Sequence, residues 1–182
     1  MRRVQLFYKD LSEIVGSNGF SVVRLTDAEE QRAICIICDK AMTEQLMIRV
    51  NRMPGREQML PEVLLQMLLK DSGSDWELMV YDVVDGQYRT TLQNKRTQSL
   101  NFIRMSDAVL LHVIANVPIY IEGGLMLRQA SPFNQENDGI AIPINTIDTE
   151  RLGKELERAI EEEDYRLASH LHQEILRRKK KP

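Results

Sequence analysis

Residues 98–121 read QSLNFIRMSDAVLLHVIANVPIYI, and this stretch decides the fold. Its first part is typical of a strand, and Ser106-Asp107 can cap a helix over residues 108–116. Pro118 then ends the helix and leads into a further short strand. The stretch therefore predicts a domain in which strands and helices share one core.

The same order of elements occurs earlier in the chain. Residues 20–25 and 33–37 are rich in β-branched and apolar side chains, which predicts two strands, and residues 41–50 carry one apolar stripe typical of a helix. Strand, strand, helix thus occurs twice. We predict an α+β fold with a mixed sheet built from a duplicated strand-strand-helix unit.

Two further elements lie between these units. A helix begins at Pro61, a favoured first helical position, and stops at residues 71–73. Asp85-Gly86 separates two strand patterns and predicts a type I′ hairpin turn.

The composition changes near residue 149. Residues 131–148 are rich in turn formers and predict a linker between a domain at residues 1–130 and a tail at residues 149–182. The tail contains two helical patterns with one apolar stripe each. Because neither helix could bury its stripe alone, we predict a C-terminal helical hairpin.

The overall composition is that of a globular protein, with 43% hydrophobic and 28% charged residues in a chain of 182. The chain lacks an apolar run long enough to span a membrane, and its first residues lack the apolar core of a signal peptide, so we expect a cytoplasmic protein. There are 24 basic against 27 acidic residues, which predicts no strong sequence-independent binding to polyanions, although a local groove could be basic. Cys35 and Cys38 are too few for a disulfide framework, and buried structural thiols are favoured over a redox pair.

The tail carries a first resemblance. Residues 156–168 read LERAIEEEDYRLA, and together with the residues around them they resemble the UVR motif. That motif is a helical hairpin of bacterial excision-repair nuclease subunits and of some chaperone-protease proteins, so the resemblance implies binding to a protein partner. The expected contact residues are Tyr165, Ala168, Leu171 and Ile175.

The larger part carries a second resemblance. The stretches VVDGQY at residues 83–88, RMSDAV at 104–109 and VPIY at 117–120 resemble the bifunctional nuclease domain, and the resemblance spans most of residues 4–133. This domain followed by a UVR hairpin is an arrangement that occurs in bacteria. The resemblance implies hydrolysis of phosphodiester bonds in DNA and RNA.

Such hydrolysis needs a positioned water and stabilisation of the charge on the phosphoryl oxygens. Carboxylates that hold a divalent cation, Mg²⁺ or Mn²⁺, beside an arginine would supply both. By this resemblance the candidate catalytic residues are Asp107, Arg104, Asp85 and Glu62, and the candidate substrate-binding residues are Ser106 and Arg104. Each candidate also has an ordinary structural use, since Asp107 can cap a helix or pair with Arg104 and Asp85 can serve the turn.

The sequence departs from the family pattern at two places. Residues 60–63 read LPEV where the family has Thr-His-Asp-Leu, so the histidine is absent. Residues 41–43 read AMT where the family has Phe-Glu-Ala, so the glutamate is absent unless Glu44 substitutes for it. Two functions therefore stay open, a nuclease acting on DNA or RNA and a non-catalytic interaction protein whose hairpin binds a partner. Exposed sheet edges in so small a domain also predict a homo-oligomer.

Overall fold

The computed structural model describes residues 2–14, 20–69, 75–133, 147–161 and 163–179. The predicted helix stop at residues 71–73 and most of the predicted linker lie outside the described residues. The strands are β1 (Arg3–Glu13), β2 (Ser21–Thr26), β3 (Arg32–Cys38), β4 (Trp76–Val84), β5 (Gln87–Asn94), β6 (Leu100–Arg104), β7 (Ile119–Glu122) and β8 (Ser131–Pro132). The helices are α1 (Lys40–Val50), a 3₁₀ turn (Arg56–Gln58), α2 (Leu60–Leu69), α3 (Met105–Ala115), α4 (Gly123–Gln129), α5 (Thr149–Glu161) and α6 (Tyr165–Lys179).

The described strands form one mixed sheet in the order β6-β5-β4-β7-β1-β2-β3-β8. The pair β4–β7 is parallel, and the other neighbours are antiparallel. The units β1-β2-β3-α1 and β4-β5-β6-α3 are each an antiparallel meander followed by a helix, and β7 lies between them. The predicted α+β fold with a repeated unit is confirmed, and each unit has a third strand.

Three elements were not predicted: β1, α4 and β8, the last of which occupies Ser131–Pro132 at the start of the predicted linker and pairs with β3. Strand β1 mixes polar and apolar residues, and its pairing with β2 shifts register between Tyr8 and Asp10, so it lacks a clean alternation. Helix α4 begins at two glycines, which are typical of loops. Its N-terminus is stabilised by the Glu122 carboxylate, which accepts hydrogen bonds from the backbone N–H groups of Gly124 and Leu125. A Cβ at Gly123 would lie 2.8 Å from the carbonyl oxygen of Arg2, so this close approach needs glycine.

Helix α3 begins earlier than predicted. Its N-cap is Arg104, with extended backbone angles and no side-chain capping bond, and Asp107 lies in the first turn. The predicted cap at Ser106-Asp107 is wrong, because β6 runs directly into the helix without an intervening loop.

The main core lies between the sheet and the helices. Helices α1 and α3 pack against each other and against β3. The largest side chains with no or almost no exposure in this core are Leu6, Leu25, Ile34, Leu46, Leu78, Ile119, Ile121 and Leu125.

A second core lies within the C-terminal hairpin. Helices α5 and α6 pack on each other through Leu152, Ala159, Ala168 and Leu171, all buried. The predicted helical hairpin is therefore present. None of the helices in the described part of the chain is long and apolar enough to cross a membrane.

Candidate functional site

A cleft of about 650 Å³ opens between β3, the β4–β5 hairpin, the β6–α3 junction and the start of α5. Its position follows from the repeated unit, because both strand-to-helix junctions line it. The charged residues that line the cleft are Asp39, Arg89, Arg104, Asp148 and Arg151.

Arg104 and Asp107 form a bidentate ion pair at the β6–α3 junction. Arg104 Nε donates to Asp107 Oδ2 at 2.6 Å and Nη2 donates to Oδ1 at 3.1 Å. The contacts with Asp107, and more weakly the charge of Asp39, raise the pKa of Arg104 above its ordinary value. The Arg104 side chain is 71% exposed, and its Nη1 makes no hydrogen bond to a described residue. One edge of the guanidinium can therefore donate hydrogen bonds to a phosphate oxygen while Asp107 fixes the other edge.

Arg89 lies directly beside Arg104, because the two residues are register partners in the β5–β6 ladder. It is exposed, and its side chain makes neither a hydrogen bond nor an ion pair with any described residue. The residue opposite on β4 is Asp82, whose carboxylate accepts a hydrogen bond from the backbone N–H of Val83 at 2.8 Å. Two adjacent guanidinium groups, one of them unpaired among the described residues, form a site that favours anions.

The two carboxylates that line the cleft both cap helices. Asp39 accepts a hydrogen bond from the backbone N–H of Met42 at the start of α1, and Asp148 accepts one from Arg151 at the start of α5, each at 2.8 Å. Burial raises the pKa of Cys38 to about 12, and the charges of Asp39 and Asp107 add to this effect.

Arg151 brings the C-terminal hairpin to the cleft. Its guanidinium carbon lies 4.1 Å from the ring centre of Phe20, and its Nε lies 3.5 Å from Asp148 Oδ2. Phe20, Asp148 and Arg151 all line the cleft. The start of α5 therefore forms one wall of the candidate site.

Glu62, a predicted catalytic residue, lies in α2 and does not line this cleft. It is buried against Arg49 of α1, with Nε–Oε1 and Nη2–Oε2 distances of 2.7 and 2.9 Å. Arg49 Nη1 also donates to the Gln45 carbonyl at 2.8 Å. The geometry gives Glu62 a structural contact that joins α1 to α2.

Asp85, a second predicted catalytic residue, lies in the β4–β5 turn. Asp85 and Gly86 both have positive φ, at 51° and 73°, which confirms the predicted type I′ turn. The Asp85 carboxylate accepts hydrogen bonds from the hydroxyl and the backbone N–H of Thr149 and from Arg178 Nη1. The Thr149 hydroxyl, its N–H and Arg178 lower the pKa of Asp85. Asp85 therefore joins the sheet to both helices of the hairpin.

The other predicted residues are placed as follows. Ser106 is half-buried in the first turn of α3 and lines the cleft beside Arg104. Of the expected partner contacts, Tyr165 is 69% exposed, whereas Ala168 and Leu171 are buried in the hairpin core and Ile175 packs against it.

A divalent cation was expected at the site. The described residues contain no group of three or more His, Cys, Asp or Glu side chains that could hold a metal ion. Asp107 is not among the residues that line the cleft and is paired with Arg104, and Asp39 caps α1. These donors do not fit a cation site built by the protein, and we derive no step through a metal ion.

Sequence reasoning did not select Asp39, Arg89 or Arg151. A signal for Asp39 exists, since it follows β3 as Arg104 ends β6, so the repeated unit makes the two junctions equivalent. Arg89 reaches the site through strand register, and Arg151 through the docking of the hairpin. Neither relation can be read from neighbouring residues.

The family model of the bifunctional nuclease domain matches residues 23–135, more than half of the chain. A search of curated proteins finds no match. The family match includes Asp39, Arg89, Arg104 and Asp107 and ends before α5. The resemblance of α5 and α6 to the UVR motif stays a prediction.

Proposed function

The chain belongs to the bifunctional nuclease domain family, and from this membership we propose that it hydrolyses phosphodiester bonds of DNA or RNA in the cleft beside Arg104. The observation that carries the proposal is the pair Arg89 and Arg104, which are register partners on the cleft wall, so that one anion bound there could contact both side chains. The proposal needs this local pair, because the whole chain has a net charge of −3.

In the proposed reaction, Arg104 Nη1 and Arg89 bind non-bridging phosphate oxygens. A water attacks phosphorus, the bond to the leaving oxygen breaks, and the charge that develops on the phosphoryl oxygens is stabilised by the guanidinium groups. Asp107, which is paired with Arg104, is the candidate acceptor for the proton of the attacking water, and the leaving oxygen takes a proton from solvent. Ser106, which lines the same cleft, is a candidate hydrogen-bond donor to the substrate.

The test is a cleavage assay on single-stranded DNA, double-stranded DNA and RNA, each with and without Mg²⁺ or Mn²⁺. We expect Asp107→Asn to lower the rate about 100-fold or more, as removal of a general base does. Arg104→Gln should lower it to a similar degree, whereas Arg128→Gln, an exposed arginine of α4 outside the cleft, should leave it unchanged. Circular dichroism of each variant checks that the fold persists.

Cleavage that survives in both Asp107→Asn and Arg104→Gln would contradict the proposal. So would a rate that falls equally in Arg128→Gln, because a general loss of basic charge would then explain it.

A second candidate function is a non-catalytic interaction protein. It is favoured by the placement of Glu62 and Asp85, since both of these predicted catalytic carboxylates hold elements together. In this case the cleft binds nucleic acid without cleaving it, and the α5–α6 hairpin binds a protein partner through its exposed face, which includes Tyr165. Binding without cleavage in every assay, together with a partner that Tyr165→Ala weakens, would favour this function.

A further inference from the structure

Two aromatic side chains stand exposed on the wall of the cleft. Phe102 of β6 is 78% exposed and Tyr81 of β4 is 44% exposed, and both line the cleft. Their ring centres are 6.5 Å apart and the ring planes are inclined by 57°. A phenylalanine with so much surface in water, on the wall of a cleft, suits a flat ligand that would cover it.

The strand register places these rings next to the arginines. Phe102 pairs with Thr91 and Arg104 pairs with Arg89, so Phe102 and Arg104 lie two residues apart on the same strand face. Two residues of a strand span about 7 Å. Tyr81 occupies the register irregularity between Val80 and Asp82, which brings its ring to Phe102.

A ligand that satisfies both features must be anionic at one end and flat and aromatic at the other. A nucleotide of a nucleic acid strand has this chemistry, because its phosphate is charged and its base has two π-faces. In a duplex both faces of a base are covered by neighbouring base pairs, so only an unpaired base can stack on a side chain.

A second copy of this chain would fit the patch less well. In a two-fold symmetric dimer the same patch meets itself, which would enclose Arg89 and Arg104 of both copies in one interface. Like charges in such an interface repel each other, and Arg89 forms no ion pair with its register partner Asp82 or with another described residue.

We propose that Phe102, flanked by Tyr81, is a base-stacking subsite that makes this cleft selective for single-stranded nucleic acid. The inference rests on the proposed function, since it names the form of the substrate that the arginine pair binds. Phe102 contacts an unpaired base while Arg89 and Arg104 contact the adjacent phosphate.

The experiment compares three probes in fluorescence anisotropy, using the full chain. The first is a labelled oligo(dT), the second an abasic strand of equal length, and the third a duplex hairpin of equal charge, all with phosphorothioate linkages that resist cleavage. Wild type should bind oligo(dT) more tightly than either of the other probes. Phe102→Leu, which keeps an apolar side chain but removes the ring, should weaken oligo(dT) binding about 10-fold and leave abasic binding unchanged.

Two further variants sharpen the result. Phe102→Trp keeps an aromatic ring and should bind oligo(dT) about as tightly as wild type. The fluorescence of the new tryptophan should be quenched on binding, and Trp76, the single native tryptophan, supplies the background signal. Leu127→Ala removes another exposed apolar side chain, 67% exposed in α4 and outside the cleft, and should change nothing.

The outcomes separate this inference from the proposed function. If wild type binds all three probes equally and Phe102→Leu has no effect, the stacking subsite is overturned while the arginine site stands. If wild type binds none of the probes, both fail. If sedimentation shows a dimer that Phe102→Leu dissociates while oligo(dT) binding stays intact, the patch is a contact between copies and the subsite is overturned.

Discussion

The guanidinium groups of Arg49 and Arg104 lie in opposite environments, one buried and one exposed. Arg49 is buried, and its guanidinium contacts Glu62 and the Gln45 carbonyl. Arg104 is exposed and paired with Asp107 along one edge only. A buried guanidinium paired with a carboxylate joins two helices, whereas an exposed one with a free edge at a cleft can bind an anion. The surroundings of each arginine therefore separate a structural role from a candidate functional one.

The Glu62 contact is testable by stability. Glu62→Gln leaves the Arg49 charge buried without its counter-ion, so we expect the free energy of unfolding to fall by about 3 kcal/mol. Urea denaturation followed by circular dichroism measures the change. Glu57→Gln, whose side chain is 62% exposed, should change it by less than about 0.5 kcal/mol. Unaltered stability with abolished cleavage would instead support the catalytic assignment of Glu62.

At the scale of elements, the β4–β5 turn holds the C-terminal hairpin. Asp85 contacts Thr149 at the start of α5 and Arg178 near the end of α6, so one carboxylate joins three elements. Arg178 is fixed in turn by Glu174, whose carboxylate lies 2.9 Å from its Nε. Because the start of α5 also lines the cleft, the turn determines where Arg151 stands.

We expect Asp85→Ala to loosen the hairpin from the sheet while both keep their own cores. Amide hydrogen exchange should rise in the first turn of α5, where Thr149 loses its acceptor, and stay unchanged in β1, which lies elsewhere in the sheet. Asp82→Ala, an exposed carboxylate on the same strand pair, is the matched control. Equal exchange in both variants would show that the Asp85 contacts do not hold the hairpin.

The same contact predicts a dependence on pH. The pKa of Asp85 in the docked hairpin lies below its ordinary value of 3.8, because Thr149 and Arg178 contact the charged carboxylate. The contact therefore contributes fully above about pH 4 and is lost as the pH falls through the lower pKa of the docked state. Exchange of the Thr149 amide, corrected for its intrinsic rate, should rise over this acidic range in wild type and show no such step in Asp85→Asn.

The hairpin core should unfold separately from the sheet when it is weakened. Leu171→Ala removes a side chain that is 2% exposed and packs between α5 and α6, so we expect a loss of about 2–5 kcal/mol in hairpin stability. Helical circular dichroism should fall at low denaturant while the transition of the sheet stays in place. Tyr165→Ala, at an exposed site, should leave both transitions unchanged. A single shifted transition would mean that the hairpin and the sheet unfold together.

In the whole molecule, the charge of the cleft differs in sign from the net charge of the chain. The chain carries a net charge of −3, whereas the cleft is lined by three arginines and two aspartates, which gives its lining a net charge of +1. The electrostatic potential at the cleft therefore depends on the packing of the sheet and the hairpin, which brings these arginines together.

This distribution predicts a shallow salt dependence of binding to a single strand. Three arginines that neutralise three phosphates would give a slope of about −2 for the logarithm of affinity against the logarithm of salt concentration. Arg104→Gln should reduce its magnitude by about 0.7. Anisotropy titrations of oligo(dT) at several salt concentrations measure both slopes. A much steeper slope that Arg104→Gln does not alter would place the binding surface elsewhere.

The local parts of this structure could be predicted from the sequence. The strands on either side of Asp85-Gly86, the helices α1 and α3, and the two C-terminal helices follow from periodicity and turn chemistry, which act between near neighbours. The ion pair of Arg104 and Asp107 is also local, because residues three positions apart at a helix start face the same side. Strand β1 was not predicted because it lacks a clean alternation of polar and apolar residues. Helix α4 was not predicted because it begins at two glycines, which are typical of loops.

Only the tertiary structure decided which residues meet in the cleft. Asp39 follows β3 and Arg104 ends β6, at distant positions in the sequence. Arg89 lies beside Arg104 through strand register, and Arg151 reaches the cleft with the docked hairpin. Glu62 and Asp85 lie outside the cleft lining, because Glu62 pairs with Arg49 and Asp85 contacts Thr149. Local sequence patterns were enough for most of the helices and strands and for the family resemblance. Long-range pairing and packing determined the site, because side chains far apart in the chain acquire neighbours only when the sheet and the helices close around them.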